Sequence, residues 1–583
     1  MKQSTHDTLL REASVGAVLA HRAEIEPDET VFTFLSDDGQ DAEEVTYLQL
    51  HMRAQAIASA LLESRKPGGH TLLLFPPGLD YVASVFGCFQ AGVVGVSAPP
   101  PQPKRLHRTL PRLTAIAADA EVESVLTSAF IRDAAQQFFQ NDALSRAEWI
   151  ATDALPEVAK ECVVEPDLNA LAFLQYTSGS TREPRGVMLS HRNLLTNSEI
   201  ITRAFGHRPA TEDKGVIWLP PYHDMGLIGG VLQPVHVGAP CVLMSPLAVI
   251  KRPARWLEAI SRFRATTSGG PNFAYDLCVN RIDDETCETL DLSSWRVAFN
   301  GAEPIRAATI EAFSRKFERC GFKKRSFFPC YGLAEATLIV TGPDRDDEPS
   351  LLDVDARAVE RGSIQPPVDG EALSRLVGCG TPYDEHELVI VDPASGSRCK
   401  EGEVGEIWVA GPSVALGYWR QSAETDDCFG GELRDDPDGV RYLRTGDLGA
   451  VLDDELYVVG RLKELLILNG RNIHPHDIEF SAEAAHPCLR PHCSAAFERG
   501  TAGSGEAAIL LEIRQEENID MEAVIGAVRQ RVAEELDLSL AWIGLCGAGE
   551  IPKTTSGKIQ RNLCRTMVEA AEISLLAGPP VAS

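Results

Sequence analysis

Tyr176-Thr-Ser-Gly-Ser-Thr-Arg-Glu-Pro-Arg-Gly-Val187 is the strongest local signal in the chain. Small hydroxyl residues and glycines leave backbone N–H groups free to surround an anion. The hydroxyls of Thr177, Ser178, Ser180 and Thr181 add donors, Gly179 keeps the turn open, and Arg185 adds positive charge. Such a loop cradles phosphate as a backbone nest does. The GxxxxGK[ST] spacing of a Walker loop is absent. A Ser/Thr/Gly run alone is more often a plain surface turn, so its neighbours must decide.

Upstream, short apolar runs alternate with helical stretches. Leu72 to Phe75 reads as a buried strand ended by Pro76-Pro77-Gly78, Leu79 to Ala91 as a helix closed by Gly92, and Val93 to Val96 as the next strand. Strand, helix, strand at this spacing predicts parallel-sheet units. Near the other end, Ala507 to Ile513 reads as a strand. Met521, Val524, Ile525, Val528 and Val532 recur at helical spacing. The charge-free stretch Met225 to Ile250 contains Pro234, Pro240 and Pro246, so it reads as strands and turns inside a large domain rather than a membrane helix.

The 583 residues carry 55 cations and 84 anions, a formal charge of −29. Nothing offsets repulsion from a nucleic-acid backbone, so any phosphate must be gripped locally. The 14 cysteines include no CxxC pair, and the cluster His486, Cys488, His492, Cys493 matches no zinc spacing. Reduced, mostly buried thiols in a cytoplasmic protein are expected. Residues 1–20 lack the long apolar core of a signal peptide.

Six further motifs follow the loop in order. They are Trp218-Leu-Pro-Pro-Tyr-His-Asp-Met-Gly-Leu227, Phe299-Asn-Gly-Ala-Glu-Pro304, Tyr331-Gly-Leu-Ala-Glu-Ala-Thr337, Tyr442-Leu-Arg-Thr-Gly-Asp-Leu-Gly449, Gly460-Arg-Leu-Lys-Glu464 and Pro552-Lys-Thr-Thr-Ser-Gly-Lys-Ile-Gln-Arg561. The series resembles the adenylate-forming superfamily of acyl-CoA synthetases, luciferases and peptide-synthetase adenylation domains. Within it the chain is most similar to the fatty acyl-AMP ligases. Thr181-Arg182 stands where most relatives carry Gly after the Thr, and the Tyr-His-Asp-Met-Gly form is typical of that group. A stretch near Asp344 to Leu373 resembles the group's insertion.

The resemblance implies an α/β fold: a large multi-sheet N-terminal adenylation domain, residues 1–461 with the insertion at 344–373, and a small mobile α+β C-terminal domain, 465–583. It implies that a fatty acid and ATP give fatty acyl-AMP and pyrophosphate, and that the acyl group passes to the phosphopantetheine of an acyl carrier protein. Only 25 residues follow Lys558, so that carrier is expected as a separate protein. An acyl-CoA synthetase shares every nucleotide motif, and a non-catalytic acyl-adenylate-binding relative would keep the fold.

Roles follow from the resemblance residue by residue. Lys558 reaches the α-phosphate and the substrate carboxylate, a cation where two anions meet. Glu335, with Thr177, helps hold Mg²⁺, a hard ion suited to oxygen ligands. Asp447 accepts from the ribose hydroxyls with Arg461 beside it. Gly301, Ala302 and Glu303, with Tyr331, Gly332 and Leu333, wall the adenine. His223 falls where amino-acid-activating domains place an Asp for the α-amine, which points to an acid lacking that amine. Asp224 follows it with its direction open. Lys463 lies where relatives carry an interdomain hinge.

Overall fold

The computed structural model describes residues 14–39, 41–64, 66–101, 106–135, 139, 143–156, 164–177, 184–207, 213–368, 372–383, 385–434, 436, 439–468, 471–499, 506–514, 519–554 and 557–579. The helix Leu79–Ala91 is buried at every residue but Asp80. A helix apolar all round needs cover on every side, and the helices Tyr47–Ser64 and Val15–Ile25 together with the first of the chain's sheets supply it. The first runs Glu148–Ala151, Ser124–Thr127, His70–Leu73, Val94–Ser97, Leu171–Thr177, Arg185–Ser190. Its pairings are parallel except the last, where Leu171–Thr177 meets Arg185–Ser190 antiparallel. The short strands at 70–73, 94–97 and 124–127 are wholly buried, as parallel strands covered on both faces are.

The second sheet runs Phe327–Pro329, Val297–Asn300, Thr267–Gly270, Gly215–Ile217, Cys241–Met244, Thr30–Leu35, Ala42–Thr46. Beneath it Trp256, Tyr275, Trp295, Phe313 and Phe327 pack edge-on and tilted at 4.9–6.0 Å. The buried indoles are satisfied: Trp256 Nε1 donates to Ser268 Oγ at 2.8 Å and Trp295 Nε1 to Val297 O at 2.9 Å. A third, antiparallel sheet is built on the long strand Arg441–Leu452, which pairs with Gly405–Ala410 and Glu455–Arg461. The C-terminal part has its own core, including Ile478, Val524, Val528 and Ile543. Its four strands, Leu489–Arg499, Glu506–Ile513, Leu540–Cys546 and Leu575–Ala577, carry the helices Pro475–Glu483 and Met521–Leu536.

Most local expectations are met. Helices span Leu79–Ala91 and Met521–Leu536, and strands span His70–Leu73, Val94–Ser97 and Glu506–Ile513. The stretch Met225 to Ile250 differs. It holds one strand, Cys241–Met244, and three helical segments: a π-helix Met225–Leu232 running into Gln233–Val237, and Pro246–Lys251. Pro234 and Pro246 sit in the first turn of their helices, where a missing N–H costs nothing. No helix among the described residues is long and apolar enough to cross a membrane. Nor does any described group of His, Cys, Asp and Glu form a metal site. Instead His492 Nε2 meets Asp276 Oδ2 at 2.7 Å, and Lys553 Nζ donates to Cys493 Sγ at 3.2 Å.

The π-helix depends on a close approach at its start. A Cβ on Gly226 would stand 2.0 Å from the Pro220 carbonyl oxygen. Gly226→Ala must therefore displace the Pro220–Asp224 turn, an overpacking cost of about 1–3 kcal/mol. A lowered thermal midpoint together with weakened activity is expected; an unchanged midpoint would show that the turn yields freely.

Candidate active site

A cavity of about 770 Å³ opens between the large N-terminal body and the C-terminal part. Of the residues singled out from sequence, Thr177, His223, Glu335, Asp447, Arg461 and Lys558 all line it, and so do Gly301 to Glu303 and Tyr331 to Leu333. Ser178, Gly179, Ser180 and Thr181 lie outside the described residues. Arg185 is not part of the cavity wall: its guanidinium lies 5.5 Å from the centre of the Tyr418 ring.

Asp447 is set by strand register. It sits opposite Arg461, and the guanidinium donates to its Oδ1 at 2.8 Å while the Tyr331 hydroxyl donates to Oδ2 at 2.9 Å. Gly446, at φ 71°, turns the backbone so that its N–H reaches Glu406 Oε1 at 3.1 Å. The Thr445 hydroxyl accepts from Asp447 N at 3.1 Å. Each carboxylate oxygen of Asp447 keeps a further lone pair for a hydroxyl donor.

Two non-glycine residues here have positive φ, Ala302 in the cavity wall and the β-branched Thr337 buried behind it, both at φ 72°. Such conformations cost about 1–3 kcal/mol each and persist where surroundings over-determine them. Thr337 is fully buried, and its hydroxyl donates to Ser413 O at 2.6 Å. Between them the wall presents Glu335, whose Oε1 accepts from the Tyr418 hydroxyl at 2.8 Å. Its second oxygen and the Thr177 hydroxyl are hard oxygen donors on the same cavity. That donor set fits Mg²⁺ completed by waters and phosphate oxygens.

His223 and Asp224 act as a unit. Their Nδ1 and Oδ1 lie 2.5 Å apart, and Asp224 Oδ1 also accepts from Met225 N at 2.6 Å, capping the π-helix. Burial pushes the Asp224 carboxyl up, but His223, Lys558 and the Met225 N–H together hold it below the usual carboxylate range. Asp224 was not singled out from sequence; its role shows only once Lys558 is placed near it. The loop of Lys558 is closed by Thr554: Thr554 N donates to Lys558 O at 2.8 Å, and Thr554 Oγ1 accepts from Lys558 N at 3.0 Å. Burial pushes the Lys558 ammonium pKa down and Arg461 adds to this, while Asp224, Asp447 and Glu303 oppose it.

From this charged end the cavity continues between Ile201, Phe205, Ile217, Met225, Leu338 and Ile339, apolar walls suited to an alkyl chain. At its far side His207 Nε2 and Thr267 Oγ1 meet at 2.8 Å.

A family model described as AMP-binding enzyme matches residues 19–419. The chain belongs to that family and has the adenylate-forming ligase fold. It is 40% identical over 559 residues, 94% of each chain, to the medium-chain-fatty-acid–acyl-carrier-protein ligase JamA of Moorena producens. It is 32% identical to the long-chain-fatty-acid–AMP ligase FadD23 of Mycobacterium tuberculosis, over 97% of this chain and 98% of the relative. Among solved structures it resembles the fatty acyl-adenylate ligase of Legionella pneumophila in complex with acyl adenylate and pyrophosphate, with TM-score 0.74, 37% identity, and 97% and 98% of the two chains covered.

A depressed lysine pKa has a kinetic consequence. The cation is lost as pH rises, so kcat/KM for adenylation should fall on an alkaline limb below the ordinary lysine range. Asp224→Asn removes a charge that favours the ammonium, so the limb should move to lower pH. A limb unmoved in the variant would show that Asp224 does not tune Lys558.

Proposed function

We propose that the protein activates a medium- or long-chain fatty acid with ATP, forming fatty acyl-AMP and pyrophosphate, and passes the acyl group to the phosphopantetheine of a separate acyl carrier protein. The observation that carries this reading is one continuous cavity with an apolar arm at one end and Lys558, Asp447 and Glu335 at the other. The names of JamA and FadD23 support the fatty-acid and carrier assignments.

The carboxylate enters beside His223 and attacks the α-phosphorus in line. Lys558 lies between the two anions and offsets the charge they bring together. Asp447 accepts from the ribose hydroxyls and orients the nucleotide, with Arg461 holding its carboxylate. His223 is no carboxylate counter-ion for an α-amine, and the Asp224 carboxylate beside it is engaged by His223 Nδ1 and Met225 N, which favours a plain acid. Glu335 and Thr177 would hold Mg²⁺, which when bound offsets phosphate charge.

The insertion supports the carrier over CoA. Its strand Leu351–Asp355 and helix Ala356–Glu360 return through the strand Leu373–Val377. Arg375 at one side donates to Glu311 at 2.9 Å on the N-terminal helix Ala307–Phe317. Glu360 at the other side takes a bidentate pair from Arg471 at 2.8 and 2.9 Å in the C-terminal part. Arg471 also donates to Leu536 O at 2.9 Å and Asp537 O at 3.1 Å. The insertion thus straps the two parts together in the arrangement that places Lys558 in the cavity. Thiol transfer to CoA needs the C-terminal part to turn about Lys463, so a preference of roughly 3 kcal/mol for the strapped state would cut the turned population over a hundredfold.

Two measurements test the reading. Acyl-AMP formation from ATP and a C8–C18 acid should be present in the parent and about a hundredfold to a thousandfold lower in Lys558→Ala; near-parental rates in that variant remove its catalytic assignment. Next, Glu360→Ala with Arg471→Ala removes one partly exposed pair worth about 1 kcal/mol, so acyl-CoA formation should rise several-fold. Deleting 344–373 should raise it further. Normal adenylation with no added acyl-CoA in the deletion variant would disprove the strap.

A further inference from the structure

The helix Leu106–Asp119 carries a cation that the scheme above does not use. Its C-terminal end is fixed by Asp119, whose Oδ2 accepts from the Tyr176 hydroxyl at 2.5 Å and whose carbonyl accepts from Trp419 Nε1 at 3.1 Å. Arg112 lies seven residues earlier, two helical turns along the same face. Arg112, Ala115 and Ile116 all line the cavity. The helix returns between parallel strands, so its N-terminal half stands at their C-terminal ends, beside Pro99 and Thr177. There the strand Leu171–Thr177 also ends, and such strand ends are the usual place for a phosphate in folds of this kind.

Arg112 is half-buried, and no carboxylate or other acceptor is bonded to its guanidinium among the described residues. Burial alone pushes its pKa down, with no neighbouring charge opposing it. In a chain with 84 carboxylates, a partly desolvated cation left without one is unusual. A guanidinium removed from water requires an anion, and this one faces a cavity rather than a protein carboxylate.

We propose that Arg112 binds the β- and γ-phosphates of ATP and holds pyrophosphate as it leaves. This rests on the adenylation reading above. In that step the bond between the α-phosphorus and its bridging oxygen to the β-phosphate breaks, and the electron pair stays on that oxygen as pyrophosphate departs. A planar guanidinium fork can take two of the leaving group's oxygens at once, which an ammonium cannot. The phosphate of a phosphopantetheine arm presents the same chemistry, and the two sources are separable.

The experiment compares the full-length parent, Arg112→Gln and Arg112→Lys. Product inhibition by pyrophosphate, the KM for ATP, and the KM for carrier protein in acyl transfer from preformed acyl-AMP are read for each. Arg112→Gln should weaken pyrophosphate inhibition and raise the ATP KM roughly 10- to 100-fold, with the carrier KM unchanged. Arg112→Lys should fall between, because it keeps the charge and loses the fork. If the Gln variant fails to fold, the Lys variant alone must still show the pyrophosphate effect. Pyrophosphate inhibition unchanged in both overturns the inference. So does a raised carrier KM with pyrophosphate binding intact, which would assign Arg112 to the pantetheine phosphate. A parent that makes no acyl-AMP fails before any variant is compared, and takes the adenylation reading and this inference with it.

Discussion

Lys558 is a half-buried cation held in a wall shared by two separately cored parts of the chain, and the site exists only while those parts meet. Burial and Arg461 oppose the ammonium, while Asp224, Asp447 and Glu303 favour it. In a low-dielectric site such interactions are far stronger than in water. Burial and Arg461 depress the lysine pKa, so further negative charge beside it favours the ammonium. Substrate carboxylate and α-phosphate supply that charge, so their binding and the docking of the lysine loop reinforce each other through linkage.

The N-terminal architecture follows from the need to grip those anions in a chain of net charge −29. Long-range attraction is unavailable, since the overall field repels phosphate. Recognition is local, and it collects where strands end. Thr177 closes one strand of the first sheet, Asn300 and Pro329 close two of the second and lead directly into Gly301 and Tyr331, and Asp447 is presented by the third. Three sheets are arranged so that their ends and loops line one cavity. The aromatic cluster around Trp295 fixes the second sheet beneath it, which lets Ala302 and Thr337 be held in backbone conformations that a looser core would relax.

What was legible in the sequence divides along physical lines. Helix Leu79–Ala91 was readable because a largely apolar run stands between the breakers Pro76-Pro77-Gly78 and Gly92. Motif residues were readable because they recur in a fixed order, and the cavity brings nearly all the described ones together. Met225 to Ile250 was misread as strands and turns. Its composition is apolar without a clear period, so periodicity cannot separate a buried strand from a buried helix, and a π-helix shifts the period further. Arg185 adds charge to a run of small hydroxyl residues and glycines in the sequence, and its place over the Tyr418 ring, set by a residue 233 positions away, could not be read there. The direction of Asp224 was open in the sequence; in the structure it lines the cavity together with His223. Arg112 reads as an ordinary helical cation. One signal was available: residues 108, 109, 115 and 116, its helical neighbours, include no acid in an otherwise acidic chain.

The strap formed by the insertion has energetic limits that explain its form. A single Glu360–Arg471 pair, a fifth to a third exposed, contributes only about 1 kcal/mol, too little to hold a domain alone. Restraint must come from several weak contacts acting on one body, and the insertion is built for that. It is itself stiffened by the strand pair 351–355 with 373–377, pinned to the N-terminal helix through Arg375–Glu311, and pinned to the C-terminal part through Arg471. Because each contact is individually weak, the restraint is reversible: a carrier protein that binds both parts can offset a few kcal/mol that a small thiol cannot. On the function proposed above, selection between acceptors rests on how much surface the acceptor can engage, not on the chemistry of its thiol, which CoA and the carrier share.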